Sequence, residues 1–329
     1  MVIAVTGASG HIGANLVPTL VEAGEQVRVM VRQDRRSVEG LDVECIEGDV
    51  LDKSVVAKLV DGAEVVYNLA AHITLWRKDK RAEVNIQGPR NVAEACLNAG
   101  VRRLVHASSI HALKDHPLDE PIDEERAPAD ETVNRAYDKS KAAGEREVRQ
   151  AIEKGLDAVI VNPTGVIGPK DLKLSRMGQV IYELATGKML ALIDAGYDFV
   201  DVRDVVFGMM AAMEKGRTGE RYLLSGNHVT LAGFAKIIEA ESGVAAPRWT
   251  SPMWLAQVGA PFSTAWAVIL GQEPKFTSAS LEVLRGNQNI LHDKATAELG
   301  YNPRPTADTV VDTIAWMRQT GLLPPKVQR

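Results

Sequence analysis

Two side chains that can share a proton lie four residues apart, Tyr137 and Lys141 in the stretch NRAYDKSK. On a helix this spacing brings both side chains to one face. Tyrosine has an unperturbed pKa of about 10, and a nearby ammonium group favours the phenolate. We therefore expect Lys141 to lower the pKa of Tyr137 and to make it a usable general acid or base. The same spacing is also found in pairs that are simply solvated on a helix surface.

A third candidate group comes from HASSIHA, which contains Ser108 and Ser109 after an apolar run. A hydroxyl at the carboxyl end of a strand lies where a doubly wound sheet binds its substrate. Either serine can supply this hydroxyl. His111, two residues further on, can reach a substrate oxygen or serve only as a structural side chain.

The glycines of TGASGHIG indicate a phosphate-binding turn. Gly7, Gly10 and Gly13 follow the apolar run VIAVT and precede an amphipathic segment. Glycines in a strand-to-helix turn let the backbone approach a pyrophosphate, and the helix N-terminus offers its free N–H groups. The alternative is a tight turn that needs glycine for its conformation only.

The end of the second predicted strand bears on the choice of dinucleotide. An acidic residue there would bind the ribose hydroxyl of NAD. The sequence instead reads MVRQDRR, with Arg32 at the strand end and Arg35 and Arg36 beyond it. Arginine forms charge-assisted hydrogen bonds with a 2′-phosphate, so we expect NADP rather than NAD, although Asp34 leaves NAD possible.

The elements that must position these residues alternate along the first half of the chain. Apolar β-type runs are separated by amphipathic segments of helical length, which predicts βαβ units and a parallel sheet covered by helices on both faces. We predict an α/β protein with a doubly wound Rossmann domain over residues 1–169. Residues 196–227 are expected to return to it, and a smaller, mostly helical substrate domain is expected from residues 170–195 and 228–329.

Composition excludes several functional classes. The chain has 329 residues, 25% of them charged, and a net charge of -5, which gives no electrostatic footprint for nucleic acid. Cys45 and Cys96 are too far apart for a metal-type pair, so we expect neither a metal site nor a disulfide scaffold. The first residues resemble no signal peptide, and a cytoplasmic location is expected.

The uncharged stretch 249–272 predicts buried helices, with an apolar substrate wall or a membrane contact as alternatives.

Taken in order, the motifs of this chain resemble those of the extended short-chain dehydrogenase/reductases. The resemblance covers most of the chain and is carried by TGASGHIG, GDV at 48–50, NLAA at 68–71, SS at 108–109, YDKSK at 137–141 and NPTGVIGP at 162–169. It implies a Rossmann domain, a C-terminal substrate domain and a homodimer formed through the helices that carry Asn85 and Tyr137.

The resemblance also implies residue roles. Ser109 matches the family's catalytic serine, Tyr137 the acid or base, and Lys141 the residue that binds the nicotinamide ribose. Asn85 matches the asparagine that supports a proton-relay water. The remaining cofactor contacts implied by the match are Gly7, Ser9, Gly10, His11, Ile12, Gly13, Arg32, Asp49, Val50, Leu69, Ala70, Ala71, Tyr137, Lys141, Pro163, Thr164 and Val166. Trp76 follows the fourth predicted strand and is expected either to roof the substrate pocket or to pack its loop against the second domain.

Two absences separate this chain from other branches of the family. The nucleotide-sugar dehydratases carry an Asp-Glu pair after the catalytic serine position, where this chain has Ile110 and His111. The UDP-sugar epimerases usually carry an arginine where GYDFVDVRDV has Tyr197. Both absences favour the reductase branch, which resembles dihydroflavonol reductases and hydroxysteroid dehydrogenases, although the chain is also similar to bacterial proteins described as hopanoid-associated sugar epimerases.

We therefore expect an NADP-dependent ketoreductase or alcohol dehydrogenase that acts on a mostly apolar small molecule. Two alternatives remain at this point. One is an epimerase that oxidises and re-reduces a sugar with tightly held NAD. The other is a protein that senses a dinucleotide without catalysis, which would need only the glycine turn and the adenosine contacts.

Overall fold

A computed structural model describes residues 1–73, 82–133, 135–258 and 278–325 of the chain. Its strands in chain order are β1 (Val2–Thr6), β2 (Gln26–Val31), β3 (Val43–Glu47), β4 (Val65–Asn68), β5 (Arg103–Ala107), β6 (Ala158–Pro163), β7 (Gly165–Ile167), β8 (Leu192–Ile193), β9 (Gly196–Asp201), β10 (Arg221–Leu224), β11 (Asn227–Thr230) and β12 (Thr250–Ser251).

The α-helices alternate with these strands in the first half of the chain and predominate in the second. They are α1 (His11–Glu22), α2 (Lys53–Val60), α3 (Ala82–Ala99), α4 (Ala136–Glu153), α5 (Arg176–Ala185), α6 (Val202–Lys215), α7 (Leu231–Ser242), α8 (Ser278–Val283), α9 (Asp293–Leu299) and α10 (Thr306–Gln319). A short 3-10 turn, Ile110–Ala112, follows β5.

The central sheet has seven strands in the order β10-β6-β5-β4-β1-β2-β3. Every neighbouring pair in it is parallel. The strand order reverses between β1 and β4, and ligands of such sheets bind in the crevice beyond the carboxyl ends at this switch point. The fold is therefore the expected α/β Rossmann fold.

Helices cover both faces of the central sheet, which explains the near-continuous apolar runs of its strands. Side chains of α1 and α6 form one core with the sheet, and side chains of α2, α3 and α4 form the other. A fully buried leucine or valine side chain contributes about 1.5 to 3 kcal/mol. Fully buried examples are Leu16, Val205 and Met209 on the first face and Leu59, Val92 and Val148 on the second.

The second half of the chain builds a smaller unit with its own core. In its sheet, β9 lies between β7, which is parallel to it, and β11, which is antiparallel. Helices α5, α7 and α10 pack against this sheet around Phe199 and Phe234, whose rings stack at 4.6 Å.

The segment 196–227, which we expected to return to the central sheet, is divided between the two sheets. Its first strand, β9, belongs to the smaller sheet, whereas β10 is the seventh strand of the central one. The expected domain boundaries themselves stay a prediction. Across the described residues, no helix combines the length and the hydropathy that a bilayer span requires.

Candidate active site

The turn between β1 and α1 is built for close approach of a ligand to the backbone. Gly7 has φ +69°, and a Cβ there would lie 2.6 Å from the carbonyl carbon of Leu69. A Cβ at Gly13 would lie 2.5 Å from the carbonyl oxygen of Gly7. Neither position accepts a side chain without moving backbone, and Gly7 also has the left-handed conformation that glycine alone adopts at no cost.

The first turn of α1 offers its N–H groups to a ligand. Gly10 is the N-cap residue, so no side chain of the cap accepts a hydrogen bond from the helix, and the first turn contains no acidic residue. Uncapped N–H groups at a helix N-terminus attract phosphate. The turn also contains Ser9 and is followed by His11 and Ile12, so this region fits the pyrophosphate of a dinucleotide.

Thr6 fixes the segment after β4 against this turn. Its hydroxyl donates to Asn68 Oδ1 at 2.7 Å and accepts from the backbone N–H groups of Leu69 and Ala70 at 3.1 and 3.2 Å. The segment Leu69–Ala71, which we expected to line the cofactor, therefore follows the switch point directly. Sequence analysis missed the part played by Thr6, although its place before the first glycine was a usable signal.

The carboxyl ends of β2 and β3 bring the expected adenosine contacts together. Arg32 is 74% exposed and lies 3.7 Å from Asp49, whereas the guanidinium of Arg36 forms two hydrogen bonds with Asp34. The bond to Arg36 holds the pKa of Asp34 well below its usual range. Arg35 in turn binds Glu47. Of these arginines, Arg32 has the longest ion pair. Val50, which follows Asp49 in the chain, is buried.

Ser109, Tyr137 and Lys141 meet beyond the carboxyl end of β5. Ser109 and Tyr137 are buried, at 8% and 7% exposure, and the Ser109 hydroxyl favours the ionised form of Tyr137. Lys141 follows one turn later on α4 and donates from Nζ to the carbonyl oxygen of Ala107 at 3.2 Å, at the end of β5. The structure thus brings together the three residues that sequence analysis selected for catalysis.

The expected effect of Lys141 on Tyr137 is wrong for this structure. Burial raises the pKa of Tyr137 to about 12, and the Ser109 hydroxyl only partly counters that effect. Burial also lowers the pKa of Lys141 to about 8, against the opposing charge of Glu145. The expectation considered the attraction between phenolate and ammonium but not the cost of burying each charge, which dominates in both groups.

Asn85 connects three elements around the site. Its side chain exchanges two hydrogen bonds of 2.8 Å with the backbone of His72 after β4, and its Nδ2 donates to Ser140 Oγ on α4 at 3.0 Å. Gly144 on α4 faces the carbonyl oxygen of Asn85, where a Cβ would not fit. Asn85 therefore holds α3, α4 and the segment after β4 in place, and its support of a relay water stays a prediction.

The loop that follows β6 closes the other side of the crevice. Thr164 donates from its hydroxyl to Asp198 Oδ1 at 2.5 Å, between Pro163 at the end of β6 and Val166 in β7. His11 and Asn15 on α1 both contact the carbonyl oxygen of Pro169, each at 3.0 Å. Hydrogen bonds thus join α1 to Pro169, which follows β7.

Of the two expected substrate residues, the structure locates one. His111 lies beside Tyr137, with ring centroids 5.6 Å apart in an edge-to-face arrangement. Its Nε2 lies 3.0 Å from the hydroxyl of Tyr197. Trp76 lies outside the described residues.

The chain matches a known protein family over most of its length. The family model described as "NAD dependent epimerase/dehydratase family" matches residues 3–225. The chain belongs to this family. The match includes the glycine turn and all three of Ser109, Tyr137 and Lys141.

Similar proteins of this family include several that are named as reductases or demethylating enzymes. The chain is 34% identical to "Sterol demethylase protein B" of Methylococcus capsulatus, over 97% of this chain and 99% of the relative. It is 32% identical to a "Putative dihydroflavonol 4-reductase" of Synechocystis, over 96% and 94% of the two chains. The resemblance to the dihydroflavonol reductase branch is therefore confirmed.

Solved structures agree on the fold. The crystal structure of gox2253 has a TM-score of 0.85 and 35% identity, and it covers 98% of both chains. A nucleoside-diphosphate-sugar epimerase of Pseudomonas aeruginosa has a TM-score of 0.79 and 25% identity, again over 98% of both chains. The chain thus has sequence relatives named as reductases and a structural neighbour named as an epimerase, so the fold by itself does not decide between the two activities.

Proposed function

We propose that this protein is an NADP-dependent ketoreductase or alcohol dehydrogenase that acts on a mostly apolar small molecule. The observation that carries the proposal is that Ser109 and Tyr137 are both buried beyond the carboxyl end of β5, with Lys141 one turn further along α4. A protein that only senses a dinucleotide has no need for two hydroxyls and an ammonium group buried beside the cofactor crevice.

The two hydroxyls have separate tasks in this proposal. The bound nicotinamide supplies the hydride for a carbonyl, or accepts it from an alcohol. Tyr137 gives its phenolic proton to the carbonyl oxygen as negative charge develops there, and Ser109 donates a hydrogen bond to the same oxygen. A pKa of about 12 keeps the proton on Tyr137 at neutral pH until a base as strong as an alkoxide forms.

Lys141 has two tasks that follow from its position. Its ammonium group, held by the carbonyl oxygen of Ala107, lies where the ribose of the cofactor is expected. With a pKa of about 8 it can release a proton near neutral pH, which makes it the residue that restores the proton of Tyr137 after turnover.

Substitution of Tyr137 tests this function. We expect Tyr137→Phe to lower kcat by about 10²- to 10⁴-fold on any ketone that the protein reduces, because no other group replaces its proton. NADPH binding, followed by fluorescence titration, should be retained. Ser109→Ala should lower kcat as well, with Ser108→Ala as the matched control on the neighbouring serine. Full turnover by Tyr137→Phe would contradict the proposal.

An epimerase is the second candidate, and the 25% identity to a nucleoside-diphosphate-sugar epimerase is the observation in its favour. Tyr197 in place of the expected arginine argues against it, because a sugar diphosphate would lose charge-assisted hydrogen bonds of about 1.5 to 3 kcal/mol each. NAD retained through purification, with no net nicotinamide turnover, would favour the epimerase. A homodimer through α3 and α4 and a cytoplasmic location remain predictions from the family resemblance.

A further inference from the structure

A loop that leads into the smaller unit reaches the adenosine end of the cofactor crevice. Residues 168–175 connect β7 to α5, and Lys173 Nζ lies 3.6 Å from Asp34 Oδ2, shortly after β2. Near the start of the loop, the carbonyl oxygen of Pro169 accepts hydrogen bonds from His11 and Asn15 on α1. The loop thus runs from the helix that fits the pyrophosphate to the strand end where the adenosine ribose is expected.

The backbone of this loop has an uncommon conformation. Lys170 and Leu174 have φ of +61° and +47°, in the left-handed region that residues with a side chain rarely adopt. The buried Asp171 stabilises the turn, because its carboxylate accepts from the N–H of Ser175 and its carbonyl oxygen from the N–H of Leu174. Such strain persists only where the surrounding structure fixes it, and it clusters at ligand clamps. The turn that carries Lys173 is therefore well defined.

The charges at the ends of β2 and β3 are balanced without Lys173. Three arginines there each pair with one carboxylate, in the pairs Arg32–Asp49, Arg35–Glu47 and Arg36–Asp34. Lys173 brings a fourth cation, and it shares Asp34 with Arg36. Within this group of side chains one positive charge is thus in excess. A phosphate monoester, which carries about 1.5 to 2 negative charges at neutral pH, fits such a surface.

Asp34 itself is a poor partner for a ribose without a 2′-phosphate. An ionised carboxylate has about four acceptor positions. Arg36 occupies three of them through its backbone N–H, its Nε and its Nη2, at 3.2, 3.0 and 2.9 Å. Lys173 lies against the oxygen that accepts from Nη2. The residue that left NAD possible is therefore engaged by two cations, which favours the phosphorylated cofactor.

We propose that Lys173 binds the 2′-phosphate of NADP, and that the loop 168–175 thereby fastens the smaller unit over the adenosine half of the cofactor. The ion pair that Lys173 would exchange for the phosphate is long and solvent-accessible, so little interaction energy is lost. Lys173 lies beyond NPTGVIGP at 162–169, the last of the motifs that carry the family resemblance. This inference rests on the proposed function, in which it assigns a residue of the smaller unit to the choice of NADP.

Two fragments of the cofactor isolate this contact without any turnover. 2′,5′-ADP carries adenosine with a phosphate on each side of the ribose, and 5′-AMP lacks only the 2′-phosphate. For Lys173→Met we expect the Kd of 2′,5′-ADP, measured by calorimetry, to rise about 10-fold, because one charge-assisted hydrogen bond is lost. The Kd of 5′-AMP should change less than about threefold, since no contact with it is removed. Lys173→Arg, which keeps the charge, should retain most of the affinity for 2′,5′-ADP.

Lys170→Met is the matched control. It removes the same charge from an exposed position of the same left-handed turn, where Lys170 lines the groove between α1 and α6. The titrations are made at about 0.15 M salt, at which exposed charges further apart than about 8 Å are largely screened. Under these conditions Lys170→Met should bind both fragments as the wild type does. An equal loss of 2′,5′-ADP affinity in the two variants would overturn the inference, because it would show a general charge effect.

Hydrogen exchange tests the fastening of the loop. In the wild type, the amides of residues 168–175 should exchange more slowly with saturating 2′,5′-ADP than with saturating 5′-AMP, because only the first ligand holds Lys173. Lys173→Met should abolish this difference. A purely structural role for the pair with Asp34 would instead alter exchange of the free protein and lower the affinity for both fragments alike. That result, or an unchanged Kd of 2′,5′-ADP in Lys173→Met, overturns the inference.

Failure of this inference is distinguishable from failure of the proposed function. If the wild type binds 2′,5′-ADP no more tightly than 5′-AMP, the choice of NADP and the role of Lys173 both fail. If the wild type and Lys173→Met show the same preference for 2′,5′-ADP, only the role of Lys173 fails. Full turnover by Tyr137→Phe would contradict the reductase chemistry and leave the fragment titrations, and with them this inference, unaffected.

Discussion

At the scale of single residues, the burial of Lys141 in the candidate site lowers the stability of the folded protein. Lys141 is 4% exposed, and within the described residues its Nζ donates to the carbonyl oxygen of Ala107. Burial lowers its pKa from 10.5 to about 8, so the folded protein favours the neutral amine. Below pH 8 the lysine is charged in both the folded and the unfolded chain, and the folded state bears the full cost of burying it.

Lys141→Met should therefore stabilise the cofactor-free protein. A pKa difference of this size corresponds to at most about 3 kcal/mol at pH 7. Between pH 8 and 10.5 the unfolded chain binds more protons than the folded one, so the wild type gains stability with rising pH and the advantage of the variant shrinks. Urea unfolding at pH 7, 9 and 10 measures this trend. Lys139→Met, on the exposed side of the same helix, is the control and should show no such trend.

A less stable Lys141→Met at pH 7 would mean that the bond to Ala107 outweighs the burial cost.

Sequence reasoning selected Tyr137 and Lys141 because their spacing is visible in the chain, and Ser109 through the order of the family's motifs. It did not predict that Tyr197 meets His111, since these two residues are distant in sequence. It also gave the wrong direction for the pKa of Tyr137, because burial is not visible in local spacing.

At the scale of elements, cofactor choice depends on the carboxyl ends of β2 and β3. These parallel strands are neighbours, which places Arg32 after one strand near Asp49 after the other. Arg36 is held by Asp34 through two hydrogen bonds, and Arg35 by Glu47. Arg32 would therefore lose the least interaction energy on binding a 2′-phosphate, since its ion pair with Asp49 is long, at 3.7 Å, and exposed.

Arg32→Ser should weaken NADPH binding and leave NADH binding nearly unchanged. Loss of one charge-assisted phosphate contact costs about 1.5 to 3 kcal/mol, or roughly 10- to 100-fold in Kd. Fluorescence titrations with both nucleotides measure the difference. Arg36→Ser removes the same charge from the same surface and should change either Kd less than threefold. A wild type that prefers NADH would remove the basis for NADP and strengthen the epimerase alternative.

At the scale of the whole molecule, a row of buried polar side chains crosses the centre of the sheet. Thr6 on β1 donates to Asn68 on β4, and Asn68 Nδ2 meets His106 Nδ1 on β5 at 3.1 Å. His106 is 1% exposed, and burial, together with the charge of Lys141, lowers its pKa from 6.5 to about 3. The row links three neighbouring strands directly beneath the candidate site.

This row predicts sensitivity of the fold to acid. Between pH 6.5 and 3 His106 binds a proton in the unfolded chain but not in the folded protein, so the free energy of unfolding falls with decreasing pH. From pH 7 to pH 5 the loss from this residue is about 2 kcal/mol. His106→Gln should remove that part of the slope in urea unfolding, whereas exposed His116→Gln should keep it. An unchanged slope in His106→Gln would show that His106 takes up a proton without unfolding.

The sequence by itself determined the order of strands and helices, the glycine turn and the pairing of Tyr137 with Lys141, whereas the choice of Ser109 came from the family resemblance. These depend on local periodicity, on turn chemistry and on spacing within one helix, all of which operate over a few residues. Tertiary structure alone decided which strand of 196–227 joins the central sheet and how burial sets the pKa of Tyr137 and Lys141. It also decided that Tyr197 meets His111, 86 positions apart, because such contacts arise only when separate elements pack together.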